Sequence, residues 1–231
     1  MGIGLSKCYQ NRSLPAGLAA GGYALHYVQS PISNENTKQM SHSYYAHPTA
    51  IIDDGAQIGA GTRIWHFCHV MGGAKIGGSC SLGQNVFVAN KVTLGRGVKV
   101  QNNVSLYEGV TCEDAVFIGP SAVFTNVINP RSGVERKNEY KTTYLEKGVT
   151  IGANATIICG VRLGQYAFVG AATVVTKDLP AYALVIGNPA RQIGWMSEGG
   201  VRLNFDNNAK ATCGESGDVY ELMDGNIVVK H

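Results

Sequence analysis

From Ile52 onward an apolar residue returns every six positions: Ile52, Ile58, Ile64, Val70, Ile76, Leu82, Val88, Leu94, Val100, Leu106, Cys112, Ile118 and Phe124. A second column lies four residues after each, from Ala56, Thr62 and Cys68 to Val104, Val110, Val116, Ala122 and Ile128, and it is small or β-branched. A period of six is neither the 3.6 of a helix nor the 2 of a lone strand. It suits a strand of a few residues with one aliphatic side chain inward, followed by a corner. Glycine often follows the aliphatic residue, as at Gly59, Gly77, Gly83, Gly95 and Gly119. Gly or Asn would supply the left-handed backbone that a corner needs. Three such strands make a coil of about eighteen residues, and stacked coils bury one continuous core. The predicted fold is therefore all-β, a parallel β-helix over about residues 44–180.

The period fails after Asn129 and returns at Ile151, continuing through Ile157, Leu163, Val169 and Val175. The gap is not a multiple of six, so an excursion is predicted over about 130–148. It holds Arg131, Glu135, Arg136, Lys137, Glu139, Lys141, Glu146 and Lys147, the most charged stretch of the chain. Long irregular loops inside compact domains are uncommon and usually functional. Beyond Pro180, residues 181–231 read as a small β appendage. Val201–Phe205, Tyr220–Met223 and Asn226–Lys230 are expected strands, and Asp224-Gly225 a hairpin turn. The appendage would cover the edge left by the last coil.

Composition narrows this picture. Glycine supplies 30 of 231 residues and charged residues only 15%, which argues against a helix bundle and against disorder of the whole chain. A net charge of +3 makes no case for a nucleic-acid surface. No apolar run is long enough to span a membrane. The six cysteines form no CxxC pair, so no structural zinc is expected, and free thiols fit a reducing cytoplasm. Residues 1–43 stand apart and read as a disordered extension. Within them, Pro15–Val28 is a weak leader core, the start MGIGLS fits a myristoylation pattern, and Met40 is an alternative start.

The repeat resembles that of the hexapeptide acyltransferases, whose fold is a left-handed parallel β-helix. HPTAIIDDGAQIGAGTRIWHFCHV, SLGQNVFVANKVTLG, VQNNVSLYEGV, FIGPSAVFTNVINPRSGVERK and GNPARQIGWMSEGG are together similar to the nucleotide-sugar N-acetyltransferases acting on UDP-2-acetamido-3-amino-2,3-dideoxy-glucuronate. That subfamily serves surface-polysaccharide assembly, including O-antigen. The resemblance covers about residues 44–200. It implies a homotrimer with active sites between subunits, acetyl-CoA lying beside the later coils, and a UDP-linked amino sugar as acceptor.

It also implies roles for residues. Asn126, in FTNV, matches the asparagine thought to hold the reacting amine. Its side-chain carbonyl can accept an N–H bond but cannot remove the proton, so the departing CoA thiolate is the expected acceptor. Asn90, Glu108 and Asn126 are spaced to share one column. The bland alternative is that the asparagines merely occupy left-handed corners. His66 is the rival general base, as a corner histidine is in many hexapeptide transferases. Its spacing stacks it with Gln84 and Asn102 rather than Asn126, and His69 is a weaker rival. Arg131, Arg136 and Lys137 suit pyrophosphate or uronate groups. Lys177 and Arg191 are candidates for the CoA phosphates, and Ala153 and Ala171 for the pantetheine arm.

Other readings stay open. One is a dTDP-3-amino-3,6-dideoxyhexose as acceptor. Another is a zinc hydratase of the gamma carbonic anhydrase type, which needs three histidine ligands where the chain offers His66, His69 and His47. A third is a non-catalytic scaffold. No metal is expected.

Overall fold

The computed structural model describes residues 44–223 and the backbone of the strand Asn226–Lys230. The extension, leader and acylation readings fall on residues 1–43, outside the described residues, as do Asp224 and Gly225 of the expected turn.

Each repeat forms a two-residue strand whose second residue points inward. Arg63–Ile64, His69–Val70 and Lys75–Ile76 make one coil, each with a buried second residue. Each strand pairs in parallel with the one eighteen residues on: Arg63 with Ser81, His69 with Phe87, Lys75 with Thr93. Three parallel sheets result. The first face runs from Tyr45–Ala46 to Ala183–Ile186, the second from Ile51–Ile52 to Val174–Val175, and the third from Gln57–Ile58 to Arg162–Leu163. The inward residues, from Ile64 to Val185, form one buried cluster. This is the left-handed β-helix that the six-residue repeat implies. Each fully buried Leu, Ile or Val contributes about 1.5–3 kcal/mol to it.

The glycines of the repeat have a different cause from the expected one. Gly59, Gly77, Gly83, Gly95 and Gly119 do not hold the left-handed position. That position comes two residues later, at Gly61, Ser79, Asn85, Gly97 and Ser121, and elsewhere it is filled by Phe67, Lys91 and Ala115. What Gly77 lacks is room: a Cβ there would meet the Gly95 carbonyl oxygen of the next coil at 2.5 Å. At Gly119 it would meet the backbone nitrogen of Ala153 at 2.7 Å. Gly77→Ala is therefore expected to lower stability by about 1–3 kcal/mol, as overpacking does. Gly97, at φ +68° with nothing within 4 Å of a Cβ, should accept Asn with little change. Thermal unfolding of the two variants separates close approach from backbone conformation.

The excursion is shorter than the sequence suggested. Where the unbroken repeat would place Pro130 on the third face, the chain places Leu145, buried in the strand Thr143–Leu145. That strand pairs with Val110–Cys112 and with Arg162–Leu163. The coil thus resumes at Thr143, and Glu146 and Lys147 belong to it. Leu145 stands six positions before Ile151, so the resumed period begins one repeat earlier than the charged neighbours Glu146 and Lys147 suggested. The excursion is tied at its base, where the Lys141 N–H donates to the Asn126 backbone carbonyl at 2.9 Å.

The coils also continue past Pro180, since Ala183–Ile186 pairs in parallel with Phe168–Val169. Arg191–Met196 and Arg202–Leu203 then extend that sheet antiparallel. The expected Val201–Phe205 strand is reduced to Arg202–Leu203. An unforeseen strand, Lys210–Thr212, joins Val219–Met223 and Asn226–Lys230 in a separate antiparallel sheet. Tyr182 of the last coil packs between Tyr166 and Tyr220, with ring centroids 5.4 and 5.7 Å apart. This appendage covers the end of the coil stack.

Candidate active site

Two edges of the prism carry the candidate residues. The first edge joins the first and second faces, and the second edge joins the second and third. Register places Asn90, Glu108 and Asn126 at the same point of successive coils on the second edge, because Phe87, Ser105 and Val123 are paired neighbours. Neither Asn90 nor Asn126 has a positive φ; on that edge Lys91 takes the left-handed conformation. The bland account of these asparagines as corner formers therefore does not hold.

The structure brings Asn126, Arg131, Arg136 and Lys137 together. They line a cavity of about 240 Å³ with Val127, Pro130, Val134, Glu135 and Tyr140. The lining combines apolar residues with three cations and the carboxylate of Glu135. Tyr140 gave no sequence signal, and Val134, though six residues after Ile128, lies beyond the point where the period fails. Asn90 and Glu108 lie below this cavity and do not line it. The Glu108 carboxylate accepts from Lys91 Nζ at 2.6 Å.

His66 lies on the first edge, as its spacing with Gln84 and Asn102 implied. These three, with Trp65, Gln101 and others, line a second cavity of about 310 Å³ that holds no charged side chain apart from the titratable histidine. The Gln84 N–H donates to Asn102 Oδ1 at 2.9 Å. The His66 ring stacks on His47 with centroids 3.5 Å apart. The His47 pKa is lowered, first by desolvation and then by the neighbouring His66 charge. His69 points from the second face, and its Nε2 donates to the Asp53 carboxylate at 3.1 Å.

Ala153 and Ala171 continue the His66 column upward. The backbones there are close: a Cβ on Gly152 would meet the Ala171 nitrogen at 2.5 Å. Lys177 lies on the other edge, in the Asn126 column, and Arg191 opens the strand Arg191–Met196. The four residues expected along acetyl-CoA are thus divided between two edges and the segment beyond the coils. Burial raises the thiols of Cys68, Cys80 and Cys112, the last to about 12, so these three offer no thiolate nucleophile at neutral pH. Among the described residues no three His, Cys, Asp or Glu side chains gather as a metal site, and no helix is long and apolar enough to cross a membrane.

Comparison with known proteins decides the family. The chain matches the bacterial transferase hexapeptide (six repeats) family over residues 55–90. It matches the hexapeptide repeat of succinyl-transferase over 73–108 and 143–177. It is 42% identical over 186 residues to a dTDP-3-amino-3,6-dideoxy-alpha-D-galactopyranose 3-N-acetyltransferase of Aneurinibacillus thermoaerophilus, covering 80% of this chain and 94% of that protein. The chain belongs to the hexapeptide-repeat nucleotide-sugar N-acetyltransferases. Like them, it is an acyl-CoA-dependent transferase, with acetyl-CoA as donor. A shorter match, 43% over 83 residues, links it to the 2,3,4,5-tetrahydropyridine-2,6-dicarboxylate N-acetyltransferase of Staphylococcus aureus, covering 36% of this chain and 32% of that one. Among solved structures, a mutant of AntD, an N-acyltransferase from Bacillus cereus in complex with dTDP and coenzyme A, superimposes with a TM-score of 0.43 at 22% identity, covering 68% of this chain and 83% of that one. The cavity beside Asn126 is the candidate active site of this chain.

Proposed function

We propose that the protein moves an acetyl group from acetyl-CoA to the 3-amino group of a dTDP-3-amino-3,6-dideoxyhexose, an acylation that serves surface-glycan assembly. The observation that carries this is the 42% identity over nearly the whole of a relative named for such an acceptor. The expectation of a UDP-linked uronate rested on sequence blocks and on the basic residues of the excursion. A nucleoside diphosphate brings its own negative charge, so Arg131, Arg136 and Lys137 need no sugar carboxylate to account for them.

A neutral sugar amine is already a competent nucleophile. The protein's task is to orient it and to stabilise the tetrahedral intermediate. Asn126 would accept an amine N–H and aim the lone pair at the thioester carbon. Attack forms the C–N bond and breaks the C–S bond. The ammonium proton then passes to the departing CoA thiolate.

The reading includes a homotrimer. Outward residues of the second face are Ile51, His69, Phe87, Ser105, Val123, Thr156 and Val174. The first face presents Arg63 and Lys99 beside Tyr45 and Phe117, and the third presents Lys75 and Arg162, whereas the second carries no lysine or arginine among these positions. The second face is the one that an assembly would bury. Three copies packed by that face around a three-fold axis would set the His66 edge of one copy against the Asn126 edge of the next. Ala153, Ala171, Lys177 and Arg191 would then border one cleft, with Asn90 and Glu108 further down it.

The test is CoA-thiol release with acetyl-CoA and either a dTDP-3-amino-3,6-dideoxyhexose or UDP-2-acetamido-3-amino-2,3-dideoxy-glucuronate. Preference for the dTDP sugar by about a hundredfold or more in kcat/KM is expected, the scale at which an apolar pocket rejects a substrate that adds a polar group. The opposite preference would restore the uronate and keep the chemistry.

A further inference from the structure

The cations that line the cavity are not held alike. Lys137 reaches Glu135 at 3.3 Å, but both side chains are about three-quarters exposed (76% and 75%). Solvent screens such a pair. Arg136 is only 24% exposed, and its Nη1 donates to both carboxylate oxygens of Glu139 at 2.9 Å. Glu139 closes the single helical turn of the excursion, Lys137–Glu139, for which Arg136 is the N-terminal flanking residue. Two features therefore fix the guanidinium: the turn and the carboxylate. Its Nε is buried and has no partner within the protein, although Arg136 lines the cavity beside Asn126.

Arg131 and Lys137 line the same cavity, so an anion entering it meets several cations, and Arg136 is held among them by Glu139. Resting on the acetyltransferase reading above, we propose that Glu139 is a positioning residue: it holds Arg136 so that the guanidinium meets an anionic oxygen of the acceptor. That oxygen belongs to the nucleotide diphosphate, or to a sugar carboxylate if the acceptor is a uronate. Glu139 touches no substrate itself.

The sign of the effect separates positioning from bulk charge. If Glu139 only screened Arg136, Glu139→Gln would raise the local positive potential and tighten anion binding. If it positions Arg136, the same change weakens binding. Titration calorimetry with dTDP and with UDP would be run on the intact protein, on Glu139→Gln and on Glu139→Asp. Steady-state kinetics with both amino sugars would accompany it.

The expected result for Glu139→Gln is about tenfold weaker nucleotide binding and a similar rise in acceptor KM, the scale of one charge-assisted hydrogen bond. kcat and the KM for acetyl-CoA should stay within about twofold, and Glu139→Asp should recover part of the loss. Weaker dTDP binding assigns the oxygen to the diphosphate. A KM rise confined to the uronate, with nucleotide binding unchanged, assigns it to the carboxylate. Unchanged or tighter binding of both nucleotides, with acceptor KM unmoved, overturns the role of Glu139 while leaving the transferase intact. Failure of the unsubstituted protein to bind either nucleotide or turn over either sugar overturns the underlying reading, and this proposal with it.

Discussion

Asn126→Ala is expected to lower kcat/KM for the amino sugar by about a hundredfold, the cost of letting a reacting group drift from its line of attack. The loss should fall on kcat, because the amine of a bound acceptor would still reside in the cavity but would no longer be aimed. Acetyl-CoA should keep its KM. The variant is a clean one, because the contact that closes the excursion uses the backbone of residue 126. The Lys141 N–H donates to its main-chain carbonyl, which alanine retains. Thermal unfolding should therefore match that of the unsubstituted protein, and thiol release with saturating acetyl-CoA reads the chemistry alone. Undiminished activity would remove Asn126 from the site and move attention to the other edge of the prism. The prediction also tests the absence of a protein base. An amide cannot take a proton, so a residual rate that rises with pH, as the free-amine fraction grows, fits orientation without base catalysis.

What could be read from the sequence divides along a physical line. The coils were legible because burial repeats: one inward aliphatic residue every six positions, from Ile64 to Phe124, is what a prism of short strands demands. The same arithmetic placed His66 with Gln84 and Asn102 and placed Asn126 above Glu108, and the strand register has both columns. The glycines were read with the wrong cause, because sequence shows where a residue lacks a Cβ and not which atom of the next coil would strike it. The excursion could be located but not shaped. Leu145 lies six positions before Ile151, so the strand Thr143–Leu145 is in phase with the resumed column, but the charges of Glu146 and Lys147 beside it read as loop, and the expected loop is longer than the observed one. The pairing of Arg136 with Glu139 depends on a single turn at Lys137–Glu139. That local geometry leaves no repeating trace. Nor does one chain reveal how two edges of a prism relate in an assembly.

That last relation leads to the second large effect, seen by mixing two inactive proteins. If sites form between copies and the His66 side chain orients the bound substrates without acting as a base, His66→Ala damages the first edge of every cleft and Asn126→Ala the second. Each homotrimer then carries only defective sites. In an equal mixture whose subunits exchange freely, a cleft is intact when its first edge comes from the Asn126→Ala chain and its second from the His66→Ala chain. About a quarter of clefts meet that condition under three-fold symmetry. Thiol release from the refolded or coexpressed mixture should thus rise from near zero to about a quarter of the unsubstituted rate. Arithmetic, and not stability, sets this value, because neither substitution touches the buried aliphatic column. The His66 ring is stacked on His47 at the protein surface, and Asn126 is half-buried at the cavity wall. If both residues served one site within a single chain, every chain in the mixture would carry one defect, and exchange would restore nothing. If His66→Ala alone is fully active, the first edge contributes no catalytic group, and the imidazole is a stacking partner of His47. The three outcomes assign His66 to the neighbour's site, to its own subunit's site, or to neither.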